Sequence, residues 1–597
     1  MLTFKKLLAL FTPQERKPAG LIMVMILVMD FLDMLGVASI MPFIAILANP
    51  ELVQSNALLN TTFIISRQIG IHTIDQFLFA LGVLVFFLLV ISLAFKALTT
   101  DAQLRFILMR EYSISKRLVE GCLHQPFCWF LSRHSADLGK TILSEVGAVI
   151  GNGVMPMMTL IAQGTVAIAL LMLLILIDAK TALIVGLTLV TSYTLIFRAT
   201  RGLLNRMGTE RLIANQARFT AISEAFGASK EVKVGGLEQA YINRFSGPAQ
   251  TFALNQATAQ VISQLPRFAI EAIAFGGMLL LVLYLMLQSG SFAGALPIIA
   301  LYAFAGYRLM PALQQIYGAF TQLRFVGPAI DALHAELMSF QPVHPNPGQD
   351  AIAFEQAITL EQIEYSYPNA AQPAVKNLSI TIPAKSIVGF VGATGSGKST
   401  TGDLILGLLE AQKGKLAVDG QVINKHNCSA WQRKIGYVPQ QIYLSDNTVA
   451  ANIAFGQDAK DINQQAVERA AKIANLHQFV INELPQQYET TVGERGIRLS
   501  GGQRQRIGIA RALYYNPQVL ILDEATSALD NLTEQVVMEA VQNLGHEITM
   551  ILIAHRLSTV KACDTIFLLE KGKLRAQGTF QELTEANEQF RAMALRH

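Results

Sequence analysis

Six apolar stretches, at residues 19–47, 76–99, 150–177, 181–199, 259–288 and 293–322, limit what this chain can become more than any other feature. Each is long enough to cross about 30 Å of hydrocarbon as a helix. Hydrophobic residues make up 52% of the 597 positions and charged residues only 15%, too apolar a balance for an ordinary soluble protein. The net charge of +4 is small for this length, and nucleic acid is not expected as a partner. The N-terminal residues show no short apolar core followed by a small-residue cleavage site, so no signal peptide is expected.

The connections between the stretches carry an uneven charge. Lys5, Lys6, Arg16 and Lys17 precede the first. Arg105, Arg110, Lys116, Arg117, Arg133 and Lys140 lie between the second and third, and Arg201, Arg206, Arg211, Arg218, Lys230, Lys233 and Arg244 between the fourth and fifth. The first-to-second connection has only Arg67, and the fifth-to-sixth has no cation. Positive loops stay in the cytosol, so both termini are expected there. The two long basic connections keep a helical period and read as helices continuing past the bilayer. Pro342, Pro345, Pro347 and Gly348 mark a linker after the sixth stretch. Cys122, Cys128, Cys428 and Cys563 have no metal-ligand spacing and are expected to be reduced.

Beyond the linker the pattern changes. The apolar run 387–391 reads as a buried strand, 401–409 as a helix, and between them stands Gly392-Ala393-Thr394-Gly395-Ser396-Gly397-Lys398-Ser399-Thr400. Strand, glycine loop and helix form a phosphate-binding loop. Its glycines turn backbone N–H groups toward phosphate oxygens, and the helix start adds a positive dipole end. Lys398 can reach the β- and γ-phosphates of ATP, and Ser399 can ligate Mg2+. A second apolar run, 519–522, delivers Asp523 toward that metal and Glu524 toward an attacking water.

Leu499-Ser500-Gly501-Gly502-Gln503 resembles the signature of the ATP-binding-cassette family, and the resemblance extends over the whole chain. It implies a multidomain membrane protein: an all-α six-helix transmembrane domain of ABC exporter type over 1–325, a linker over 326–352, and an α/β P-loop cassette over 353–597. It implies short transverse coupling helices near 127–140 and 219–236. It gives Tyr367 the adenine-stacking role, Gln440 the metal-sensing role and His555 the γ-phosphate contact. Ser500, Gly501, Gly502 and Gln503 would close over the ATP of a partner copy, with Asp530 in the loop that crosses between cassettes. Thr491 to Gly496 resembles the exporters' X-loop. In this reading Glu524 is the general base, and one membrane domain with one cassette requires two chains, a homodimer or a heterodimer.

Two strings, Gly36-Val37-Ala38-Ser39-Ile40-Met41-Pro42-Phe43 and Tyr307-Arg308-Leu309-Met310-Pro311, look like PglK-type flippases of bacterial lipid-linked oligosaccharides. The long connection from 49 to 75 fits the external helix of that group. The resemblance implies residence in the bacterial inner membrane, a glycan-bearing lipid as substrate, and Lys96, Arg267 and Arg308 lining the cavity. A general lipid, multidrug or peptide exporter is the alternative, and a non-transporting cassette protein is a third class.

Overall fold

The computed structural model describes residues 2–39, 43, 46, 52–68, 70–177, 179–289, 292–340, 352–368, 370–493, 496–524, 539, 547–554 and 556–595. They form two compact units. One holds Met1–Gln125 and Ser132–Val343, the other Pro126–Leu131 and His344–His597.

The first unit is all helix. Helix α1 (Leu2–Leu10) leads into α2 (Pro13–Ala38), which has proline at its first position, where no N–H partner is lost. Helix α3 (Ala57–Arg67) lies in the connection expected to be long. Helix α4 (Ile74–Leu123) starts on a capping box between Thr73 and Gln76. Its buried residues include Val85, Ser92, Thr99 and Phe106, spaced by seven, so one narrow seam faces the unit and the rest faces outward. Phe79 is 76% exposed and Leu93 63%. That outward apolar surface suits lipid rather than water. Among the described residues, two helical runs, Ile74–Leu123 and Ser135–Met172, pass a membrane-crossing test of length and composition.

The remaining long helices are α7 (Met155–Ile177), α8 (Ala179–Gly227), α10 (Glu238–Ser289) and α11 (Phe292–Ser339). Each expected apolar stretch falls in a helix, the first as far as Ala38. The expected linker start is corrected: 326–339 continues α11, because Val326, Ala329, Ile330 and Leu333 are buried with Leu7, Leu10 and Ile114. Short helices α5 (Phe127–Leu131) and α6 (Ser135–Lys140) divide the expected segment 127–140, and α9 (Ser229–Val234) occupies the end of 219–236. Two π-helical turns, Thr141–Glu145 and Ile150–Val154, join α6 to α7. The first places Glu145 against Arg211 of α8 at 2.5 Å and Asn215 at 2.6 Å, a charge pair almost wholly withdrawn from solvent.

The second unit has two sheets. Strands β1 (Ala357–Tyr365), β2 (Val375–Pro383), β4 (Lys413–Val418) and β5 (Gln421–Val422) form an antiparallel sheet in the order β2-β1-β4-β5. The larger sheet runs β10-β9-β3-β8-β7-β6. It contains β3 (Ile387–Val391), β6 (Ile435–Val438), β7 (Val519–Asp523), β8 (Thr549–Ile553), β9 (Thr565–Glu570) and β10 (Lys573–Gly578). Strands β3, β6, β7, β8 and β9 pair in parallel. All five residues of β3 are buried, as a strand covered on both faces must be. Phe390 stacks on Phe567 at 5.2 Å, and Trp431 donates to the Ile405 carbonyl at 2.8 Å. Burying one such side chain stabilises the fold by roughly 1.5–3 kcal/mol. Cys128 of α5 packs against the core between the sheets.

Candidate nucleotide site

The site forms where parallel strands end. Strand β3 stops at Val391, and α12 (Lys398–Ile405) starts after six intervening residues. Gly392, Gly395 and Gly397 between them have φ of 148°, 76° and 98°, which side chains rarely tolerate. A Cβ on Gly392 would collide with the Leu569 carbonyl oxygen, and one on Gly397 would lie 2.7 Å from that of Ala374. Glycine is therefore required there by space as well as by dihedral angle.

Lys398 is buried and folds back over the loop, donating to the carbonyls of Gly392 at 2.8 Å and Ala393 at 3.2 Å. Burial lowers its pKa, against the raising effect of Glu524 and Asp523. Ser399 and Thr394 are exposed, whereas Ser396 is buried and its hydroxyl has no partner. An orphaned buried hydroxyl in this loop is what an added phosphate oxygen would satisfy. The Thr400 hydroxyl lies 3.2 Å from that of Tyr367, whose ring meets Tyr365 edge-on at 5.2 Å.

Strand β7 lies beside β8, so Asp523 is opposite Ile553, and the Glu524 N–H donates to the Ile553 carbonyl at 2.9 Å. Glu524 has φ of 50°, strained for a residue with a Cβ. Its carboxylate accepts from Gln440 Nε2 at 2.9 Å. Burial pushes the Asp523 carboxyl up to about 6, Glu524 adds to the rise, and Lys398 opposes it. Asp403, on the helix after the loop, is pushed up to about 6 by burial and by Asp523. Sequence reasoning missed Asp403; a carboxylate five residues after Lys398, just before Leu404 and Ile405, was the available signal. Asp523 and Glu524 face Lys398, and Ser399 is open at the start of α12.

The structure thus brings the phosphate loop, Tyr367, Gln440, Asp523 and Glu524 together. Ser500, Gly501, Gly502 and Gln503 stand elsewhere, at the start of α13 (Gly501–Tyr514). Ser500 Oγ accepts from the Gln503 N–H at 3.2 Å, and Gln503 Oε1 accepts from the Ser500 N–H at 2.8 Å. Among the described residues no hydrogen bond joins this cap to the phosphate loop. Asp530, His555, Glu494 and Arg495 lie outside the described residues. Of the expected cavity residues, Lys96 is exposed, Arg267 pairs with Glu271 at 2.8 Å, and the side chain of Arg308 lies outside the described set.

A helical membrane unit joined to a P-loop cassette defines a nucleotide-driven membrane transporter. The comparisons agree. The ABC transporter family model matches residues 375–527. The ATP-dependent lipid A-core flippase of Cupriavidus pinatubonensis is 30% identical over 485 residues, 79% of this chain and 80% of that protein. That of Saccharophagus degradans is 41% identical over 251 residues, 42% of each. The solved structure of a bacterial Atm1-family ABC exporter with ATP bound is 23% identical, with a TM-score of 0.78 over 97% of this chain and 98% of that one, and shows the same fold. The chain belongs to the ABC transporter family, as an exporter-type half-transporter whose ATP hydrolysis is coupled to transport.

Proposed function

We propose that two copies of this chain form a flippase that moves a lipid-linked oligosaccharide, or a related amphipathic lipid, across a bacterial inner membrane. The observation that carries the lipid reading is its similarity, over most of its length, to proteins named as lipid flippases. The glycan part rests on the strings 36–43 and 307–311 and on α3 in the first external connection. The relatives' own named cargo favours a second reading, in which the lipid carries a different headgroup. The cytosolic placement of the cassette and termini rests on the basic connections.

In this reading Glu524 accepts the proton of the attacking water, and Gln440 holds its carboxylate at 2.9 Å. Lys398 leaves the loop carbonyls for the phosphates and offsets the charge that develops on them. Ser399, Asp523 and Gln440 would hold Mg2+, which neutralises phosphate charge when bound. Tyr367 faces adenine. His555 contacts the γ-phosphate. Ser500, Gly501, Gly502, Gln503 and Asp530 complete the site of the partner copy, where the start of α13 supplies N–H groups and a dipole end. Lys96, Arg267 and Arg308 face the cavity and attract a pyrophosphate-bearing head, although Glu271 already offsets Arg267.

The test is ATPase activity in proteoliposomes carrying a polyprenyl-pyrophosphate-linked sugar, a lipid A-type glycolipid or neither. The proposal expects the polyprenyl lipid to stimulate turnover and to be moved by it. Stimulation by the lipid A-type glycolipid alone favours the second reading, and no response to either lipid contradicts both.

A further inference from the structure

Helices α8 and α11 run side by side as a ladder that changes chemistry along its length. Tyr193 meets Tyr317 at 5.7 Å between ring centroids, and Phe197 meets Phe320 at 5.7 Å one turn further on. Another turn on, Arg324 Nε donates to the Arg201 carbonyl at 3.4 Å. This last rung places two guanidinium-bearing residues of different helices together. Arg198 joins them, three residues before Arg201 on the same helix face. All three arginines are exposed, and no ion pair engages any of them among the described residues.

Among the described residues no carboxylate pairs with the patch. Helix α8 carries no Asp or Glu before Glu210, which pairs with Arg206 at 2.8 Å. Helix α11 carries none before Asp331, which pairs with Lys6 at 2.7 Å. Helix α10, packed with both, has only Glu238 and Glu271, which pair with Lys233 and Arg267. The surface above the arginines is apolar and open: Leu195 is 70% exposed and Phe320 47%. Arg198 also ends the apolar run of α8. An unpaired triple cation below an exposed apolar strip complements an amphiphile with an anionic head.

We propose that Arg198, Arg201 and Arg324 bind the phosphate headgroup of an anionic membrane lipid, whose acyl chains lie along Leu195 and Phe320. The arginine fork bonds two phosphate oxygens at once. The occupant is a lipid rather than soluble phosphate, because the apolar strip continues from the cations. The site depends on α8 and α11 crossing the membrane, and not on which lipid the transporter moves.

The test uses the full-length protein exchanged from membranes containing phosphatidylglycerol and phosphatidylcholine, with retained lipid counted by native mass spectrometry. The wild type should retain phosphatidylglycerol in preference. Arg201→Gln and Arg324→Gln should each lower that retention by about fivefold, the weight of one cation at a charged membrane surface. Arg206→Gln, whose guanidinium is already paired, should leave it unchanged, and Arg324→Lys should restore part of it. Arg198→Gln gives an independent reading should Arg324→Gln misfold. Equal retention in all variants would overturn the proposal. Complete displacement of the lipid by inorganic pyrophosphate would assign the patch to soluble phosphate and overturn it as well.

Discussion

Strand β3 and helix α4 are both apolar, yet they bury their side chains by opposite rules. Every residue of β3 is buried, while α4 buries little beyond a seam repeating every seven residues and leaves Phe79, Phe86 and Leu93 exposed. In the cassette the surrounding solvent is water, so apolar area turns inward. In the helical unit the surroundings are hydrocarbon, which gives no reason to hide leucine, and packing alone selects the seam. Charge divides the same way. The helical unit buries Glu145 against Arg211, whereas the cassette sets Asp523 and Glu524 near Lys398, with Asp403 near Asp523. A closed pair stabilises a joint; two adjacent carboxylates facing one lysine stay open to a ligand.

The largest effect should come from the open cluster. Glu524→Gln should lower ATP hydrolysis by roughly 10²–10⁴-fold, the usual share of a general base, while nucleotide binding survives. Phosphate release and fluorescent-nucleotide binding measured on one preparation separate the two, and near-normal turnover would remove Glu524 from the role. Breaking the closed pair should instead leave chemistry intact and weaken the helical unit. Arg211→Met strands a buried carboxylate and should cost about 3–5 kcal/mol, with Glu145→Leu in the same chain restoring much of it. Both tryptophans, Trp129 and Trp431, belong to the cassette-containing unit, so their fluorescence should lag behind the loss of helical circular dichroism. Coincident transitions would mean that the units unfold as one.

Two smaller changes sharpen the contrast. A Cβ on Gly208 would strike the Phe325 carbonyl oxygen, so Gly208→Ala should force α8 from α11 at about 1–3 kcal/mol, visible as a lower helical melting temperature. Thr579→Ala removes the capping box with Glu582 and should cost about 1 kcal/mol, read by tryptophan fluorescence in denaturant.

The local grammar of the cassette was legible in advance. Alternation of strand, glycine loop and helix located residues 387–409, because these signals act within a few residues. What needs distant partners was not legible. The pairing of β7 with β8 places Asp523 opposite Ile553, and no local pattern states that order. The Glu145–Arg211 pair joins positions 66 apart through a π-helical turn that widens the helix at Glu145. The length of α11 was missed because its last turns are held by burial against α1 and α4, contacts between residues far apart in the chain.

The central claim is that carboxylate chemistry in the cassette drives lipid movement through the helical unit. One measurement addresses it: ATP-dependent transfer of a labelled polyprenyl-pyrophosphate-linked sugar across sealed proteoliposomes, comparing wild type with Glu524→Gln at equal protein. The account predicts transfer that requires ATP in the wild type and is lost in the variant. Transfer at the wild-type rate by Glu524→Gln, or rapid ATP hydrolysis by the wild type with no transfer, would contradict it.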